Sequence, residues 1–159
     1  MPAVRIKHRD VTAARDQLYD EILDEGCYCP CCDRYARAYA RAINHTMARA
    51  LIWLCREYRR TGEWVDVPKT APRWLVRSNQ LPTLKYWGLV QRKPNNDPAK
   101  KCSGLWRPTP RGRRFAGSRI RLRKKALVYN DRVLEYQGEF ISVVDALAHH
   151  FDYRELWEG

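Results

Sequence analysis

Long apolar runs are absent from this sequence: none reaches the roughly 18 residues that a membrane-spanning helix needs. The opening stretch, MPAVRIKHRDVTAARDQLYDE, holds no apolar segment of the kind a secretion signal carries. The expectation is a soluble cytoplasmic chain without a membrane partner, nucleoid-associated in a bacterial or phage setting. Catalytic signatures are missing too. There is no G-x-S-x-G, no Walker A and no H-E-x-x-H. The acids are scattered rather than clustered for magnesium, as a nuclease would require. His149 and His150, as neighbours on a helix, point about 100° apart and do not share a ligand easily. No enzyme is expected.

What is present is positive charge. The 159 residues carry a net +12, and the 29 residues from Asp131 onward hold seven acids against two bases, so the first 130 carry +17. A 45% hydrophobic content can supply a core. The basic part calls for a polyanion, of which nucleic acid is the commonest for such a protein.

Four of the six cysteines fall within CYCPCC, Cys27 to Cys32. In a reducing compartment such spacing points to metal or thiol chemistry before disulfides. Cys29-Pro30-Cys31-Cys32 is a C-P-x-C knuckle, in which Cys29 and Cys32 converge on one ion while backbone amides point at the sulfurs. Asp33 occupies the position where such knuckles favour glycine. Structural Zn2+ on Cys27, Cys29 and Cys32 is the first reading, with reduced, packed cysteines and redox chemistry as alternatives. The fourth ligand is open between Cys31, Cys102, His149 and His150. His8 is set aside by the helix that follows it. His45 and Cys55 are set aside as lying roughly 18 and 33 Å along the helix that the cysteines precede.

Along the chain, Asp10 or Thr12 caps a first helix whose apolar positions are Val11, Ala14, Leu18 and Ile22, with Gly26 as its C-cap. A longer helix is predicted from about Asp33 to Arg60. Tyr35, Tyr39, Ile43, Met47, Leu51, Leu54, Cys55 and Tyr58 form its apolar stripe, opposite a cationic one that includes Arg34, Arg37, Arg41, Arg49 and Arg56. Thr61-Gly62 ends it, and Trp64, Val65 and Val67 give a short strand. Two short helices follow, broken at Ser78 to Pro82 and closed by Gly88. Strands at Leu89–Lys93 and Leu105–Thr109 flank a polar connector, and Thr109-Pro110 starts another helix. The tail reads as strands near Arg119–Tyr129 and Arg132–Tyr136, joined by an Asn130-Asp131 turn. A helix then runs from about Ser142 with a break at Phe151.

The stretch LKYWGLVQRKPNNDPAKKCSGLWRPTPRG resembles the wing segment of MarR-like winged helix-turn-helix DNA-binding proteins. The matching residues are Leu84, Gly88, Leu89, Val90, Arg92, a polar wing from about Pro94 to Gly104, then Thr109 and Gly112. In overall style the chain is similar to small winged-helix proteins of phages and prophages. It departs from the MarR pattern in its N-terminal cysteine cluster and in its tail. The resulting fold class is α+β: a helical hairpin with a zinc-knuckle turn (1–60) leads into a winged helix-turn-helix domain (61–118), followed by a strand-strand-helix extension (119–159).

The resemblance implies double-stranded DNA as partner, with the second helix of the turn motif in the major groove. Its candidate readers are Arg77, Ser78, Asn79, Gln80, Thr83 and Lys85, with Asn79 or Gln80 suited to adenine and Arg77 or Lys85 to guanine or phosphate. Arg92, Lys93, Lys100 and Lys101 of the wing, and Arg111, Arg113 and Arg114 beyond it, are placed for phosphates or the minor groove. Arg111 to Lys125 holds eight basic residues in fifteen, a density suited to backbone anchoring. A transcriptional regulator is the expected function, with homodimerisation through the helix from Ser142. The rival is a protein-interaction module, an adaptor or inhibitor of a host nucleic-acid machine, for which six tryptophans and nine tyrosines leave room.

Overall fold

Asn44 starts the central helix. Its side-chain oxygen accepts from the Met47 amide at 2.9 Å, and α2 runs His45–Thr61 until Gly62, at φ +71°, turns the backbone left-handed. Met47, Leu51, Leu54 and Cys55 are buried along it, as the heptad-like spacing predicts. The computed structural model describes the backbone of Val4–Arg5 and residues 10–159. It is a mixed α+β protein with mainly antiparallel sheets. The chain divides into two compact units: one holds the described residues up to Ala42 with Lys125–Gly138, the other Ile43–Lys124 with Glu139–Gly159.

In the first unit, β1 (Val4–Arg5) pairs in parallel with β2 (Cys27–Tyr28), which pairs antiparallel with β3 (Tyr35–Ala36). Helix α1 (Val11–Glu21) is capped by Asp10, whose carboxylate accepts from the Thr12 amide at 2.8 Å. Leu18, Ile22, Cys27 and Ala36 form a small core, with Tyr19, Tyr129 and Leu134 packed on it. Strand β4 (Tyr39–Ala42) pairs antiparallel with β8 (Leu122–Tyr129), Tyr39 opposite Val128 and Ala42 opposite Lys125. The outer strand β9 (Arg132–Ile141) follows through Asn130 and Asp131, both at positive φ, which is the two-residue hairpin turn whose twist suits the strands.

Here the long predicted helix is corrected. Residues 33–44 form a turn and two strands, and helix begins only at His45. In Tyr35-Ala36-Arg37-Ala38-Tyr39 the alanines are buried and the large side chains exposed, an alternation of period two. Tyr35 and Tyr39, expected in the core, are 51% and 65% exposed. The cysteine turn therefore joins two strands rather than two helices, and the helical hairpin is not formed. The distance argument that set His45 and Cys55 apart from the cysteines loses its premise, while His8 lies outside the described residues. Gly26 is not the cap of α1, which ends at Glu21 with Ile22 as its C-cap. Instead a side chain at Gly26, φ +90°, would meet the Ala36 carbonyl at 2.7 Å.

In the second unit, α2 packs against a three-stranded sheet and the surrounding helices. The sheet order is β5 (Val65–Asp66), β7 (Leu105–Pro108), β6 (Val90–Arg92), all antiparallel. Between β5 and β6 come α3 (Val67–Thr70), α4 (Arg73–Ser78) and a 3₁₀ helix, Leu81–Trp87. Val67, expected in the strand, opens α3 under the Asp66 cap. Helix α5 (Pro110–Ala116) follows Thr109, which caps it by accepting from the Gly112 amide at 3.0 Å and donates its hydroxyl proton to the Gly88 carbonyl. A Cβ at Gly112 would collide with the Leu89 carbonyl, so α5 lies on the chain entering β6 only because that residue is glycine. The tail helices are α6 (Val143–Leu147), with a Ser142–Asp145 capping box, and α7 (Tyr153–Glu158), capped by Asp152. The break falls at Ala148, φ +52°, ahead of Phe151. No helix among the described residues is long and apolar enough to cross a membrane.

Candidate nucleic-acid interface and cysteine turn

Residues 67–124 carry sixteen lysines and arginines and a single acid, Asp97. This stretch contains the expected readers Arg77 to Lys85, the wing cations and Arg111, Arg113 and Arg114. Helix α4 ends at Asn79, left-handed at φ 49°, which turns the chain into the 3₁₀ helix. Leu81, Leu84 and Trp87 of that helix are buried, a repeat of three that matches three residues per turn and aligns them in one row. Trp87 is anchored further by its indole N–H, which donates to the Arg123 carbonyl at 2.8 Å. The rows facing away hold Pro82 with Lys85, and Thr83 with Tyr86.

Of the predicted readers, Arg77, Asn79 and Lys85 are exposed, Lys85 with its ammonium 5.2 Å from the Tyr86 ring centre. Thr83 is half-buried. Ser78 and Gln80 are engaged locally: the Ser78 hydroxyl donates to the Leu75 carbonyl at 3.0 Å, and the Gln80 amide donates to the Ser78 carbonyl while its oxygen accepts from Asn44. These two side chains tie the turn to the start of α2.

The β6–β7 connection is ordered by its own polar residues. The Lys93 amide donates to the Leu105 carbonyl, Asn95 donates to the Lys100 carbonyl at 2.6 Å, and Asp97 accepts from the Ala99 amide. Arg92, Lys93, Lys100 and Lys101 are all exposed and pair with no carboxylate among the described residues. Arg107 on β7, not singled out by sequence, makes a two-pronged bond to the Gln91 side-chain oxygen Oε1 and lies 4.2 Å over Trp64.

Beyond the hairpin the predicted phosphate anchors diverge. Arg111 donates to the Trp87 carbonyl at 3.1 Å. Arg113 and Arg114 instead line a cleft of about 440 Å³ together with Arg59, Arg119, Tyr58 and Trp157. Arg59, Arg119 and Trp157 come from three separate segments, so no sequence spacing signals their meeting.

In the first unit, the cysteine turn is closed by two backbone bonds, Cys29 N–H to the Arg34 carbonyl at 2.8 Å and Asp33 N–H to the Cys29 carbonyl at 2.9 Å. Asp33 stands at φ +56°, the left-handed conformation that glycine takes after the last cysteine of a knuckle. The amides of Cys31 and Cys32 donate to the Cys29 sulfur and hold its pKa below that of an ordinary thiol. Cys27 differs: it is buried on β2, and desolvation, then Glu21, push its pKa up. Cys31, Cys32 and Cys102 are exposed. No group of three His, Cys, Asp or Glu side chains among the described residues is arranged to hold a metal ion. Cys29 thus accepts from the two amides that follow it, while Cys27 lies buried on β2.

Comparison of the chain with family models, curated proteins and solved structures returns no match.

Proposed function

We propose that the second unit is a winged helix-turn-helix domain that binds double-stranded DNA, and that the protein is a transcriptional regulator. One observation carries this reading. The α4 turn and 3₁₀ helix present Arg77, Asn79 and Lys85, and the hairpin loop that follows presents four cations, all on a stretch with one acid. In a winged helix these are the groove-reading and backbone-holding elements. The 3₁₀ helix is short, about 14 Å for its seven residues, so its base contacts come from the turn and its first residues.

The test is binding to random and selected duplexes across a salt series. Arg77→Ala with Lys85→Ala is expected to lose about 1–3 kcal/mol per base contact and to relax sequence preference. Lys100→Ala with Lys101→Ala is expected to weaken all duplexes alike and to flatten the salt slope by about one unit per phosphate lost. Absence of duplex binding at low salt rejects the reading.

At the cysteine turn the same proposal includes a structural Zn2+ held by Cys29 and Cys32. The two amide-to-sulfur bonds and the left-handed Asp33 support it, because both features stabilise a thiolate pair on one ion. Cys27 and Cys31 are the candidates for the remaining ligands within this unit, and the metal would hold the β2–β3 turn rather than take part in binding.

A protein-interaction role is favoured by a separate observation in the first unit. Tyr28, Tyr35, Tyr39 and Tyr136 are 42–65% exposed there, and such tyrosines are typical of contact surfaces.

A further inference from the structure

The cleft formed by α2, α5 and α7 concentrates positive charge in a way that DNA binding does not require. Arg59, Arg113, Arg114 and Arg119 line it, no carboxylate does, and none of the four makes an ion pair among the described residues. Such guanidiniums repel one another unless an anion joins them.

Their placement is built rather than incidental. At the end of α5, Ser118 takes φ +57° and donates to the Phe115 carbonyl, and the Arg119 amide donates to the Arg114 carbonyl at 2.8 Å. The chain is thereby folded back so that Arg119 rejoins Arg113 and Arg114. Two of the guanidiniums are held by aromatic faces, Arg59 at 4.9 Å from the Trp157 ring centre and Arg113 at 5.7 Å from that of Tyr58. Stacking occupies the flat face and leaves the in-plane N–H groups for an acceptor. The floor adds no opposing charge, since burial pushes the Cys55 thiol up to about 12.

A second observation is independent of the arginines. Trp157 lines the cleft, and its indole Nε1 is buried without a hydrogen-bond partner. A buried donor left unmatched is costly, and a ligand oxygen would relieve it once a shift of the Trp157 ring opens the atom to the cleft.

We propose that this cleft binds a small molecule bearing a diphosphate group, with the arginine forks on its oxygens and the Trp157 N–H as a further donor. Arginine forks match phosphate oxygens two at a time, and a phosphomonoester offers only three terminal oxygens, so a diphosphate satisfies the set better. About 440 Å³ is room for a nucleotide-sized ligand. The diphosphate comes either from a nucleoside diphosphate or from inorganic pyrophosphate.

The experiment follows the Trp157 indole N–H by nitrogen-15 NMR of the full chain, assigned by its loss in Trp157→Phe, while ADP, pyrophosphate, phosphate or adenosine is added at low salt. ADP and pyrophosphate are expected to shift this resonance saturably at sub-millimolar concentration, phosphate more weakly, and adenosine not at all. Tighter binding of ADP identifies the nucleotide as the source, and equal binding identifies the inorganic anion. Arg113→Ala with Arg119→Ala is expected to weaken binding at least ten-fold, and so is the single charge reversal Arg119→Glu, whereas Arg77→Ala with Lys85→Ala leaves it unchanged. Trp157→Phe, followed by calorimetry, is expected to weaken ADP binding about ten-fold. The proposal is overturned if neither diphosphate shifts the indole at millimolar concentration, or if the arginine variants bind as wild type does. It is also overturned if duplex DNA shifts the resonance and the diphosphates do not. Failure of duplex binding alone rejects the DNA reading and leaves this one standing.

Discussion

The imidazole rings of His45 and His150 are stacked, 3.8 Å between centroids and inclined by 23°. One opens α2 and the other lies between the two C-terminal helices. Phe151 closes over the pair, 5.9 Å from His45, and Arg49 spans the Phe151 and Trp74 rings. Burial, then the neighbouring His150, keep the His45 pKa below the ordinary imidazole value. The unfolded chain takes up this proton first, so the contribution to stability is present above about pH 6.5 and is lost as pH falls toward the lower folded value. Thermal midpoints are therefore expected to drop between pH 7.5 and 5.5, and His150→Gln to flatten that drop. Equal slopes in the two proteins would remove the pair as its cause.

Thr109 and Gly112 make a sharper stability test. Gly112→Ala forces a methyl group into the Leu89 carbonyl, which costs about 1–3 kcal/mol by overpacking. Thr109→Ala removes the cap of α5 and costs about 1 kcal/mol. Urea unfolding of both variants is the measurement. A Gly112→Ala protein as stable as wild type would mean that α5 stands off from β6.

If the proposed DNA-binding reading holds, Asn79 has two separable roles. As a left-handed cap, it is replaceable by glycine with little or no loss of stability, whereas alanine in that conformation costs roughly 1 kcal/mol or more. As a base reader it is not replaceable by glycine. Asn79→Gly is expected to unfold at the wild-type midpoint while losing duplex selectivity, and retention of full selectivity would confine Asn79 to the turn.

For the cysteine turn, native mass spectrometry is expected to find one zinc per chain, lost with chelator and in Cys29→Ser and Cys32→Ser alike. Cys55, 4% exposed and with its thiol at about 12, is expected to stay unalkylated in the folded protein throughout. Full zinc content in Cys29→Ser would place the metal elsewhere.

The parts of the fold that were legible in the sequence are those with a local cause. Asn130-Asp131, Thr109-Pro110, Gly62 and Gly88 each impose a backbone conformation on their own, and each stands where the chain turns or caps. Residues 35–42 misled for a physical reason: Tyr-Ala-Arg-Ala repeats every four residues and so satisfies a helix and a strand equally. What decides is that Ala36 packs where Gly26 allows close approach, which depends on pairing between distant residues. The second short helix is expected from the sequence, but its 3₁₀ winding and its start at Leu81, inside the expected Ser78–Pro82 break, are not; they follow from the buried repeat of Leu81, Leu84 and Trp87, an interval of three that an α-helix does not keep on one face over several turns. The arginine cleft was not legible, because Arg59, Arg119 and Trp157 are brought together by packing and share no spacing.

The first unit is assembled from two stretches of chain separated by the 82 residues from Ile43 to Lys124. At ribosomal speeds of about 5–20 residues per second, β4 waits roughly 4–16 s for β8 to emerge. Over that interval Tyr39–Ala42 is an unpaired edge with nothing yet made to receive it, while most of the second unit has already left the ribosome. Newly made chains thus pass through a stage at which the half containing α2 is largely complete and the half holding Cys27 to Cys32 still lacks its partner strands.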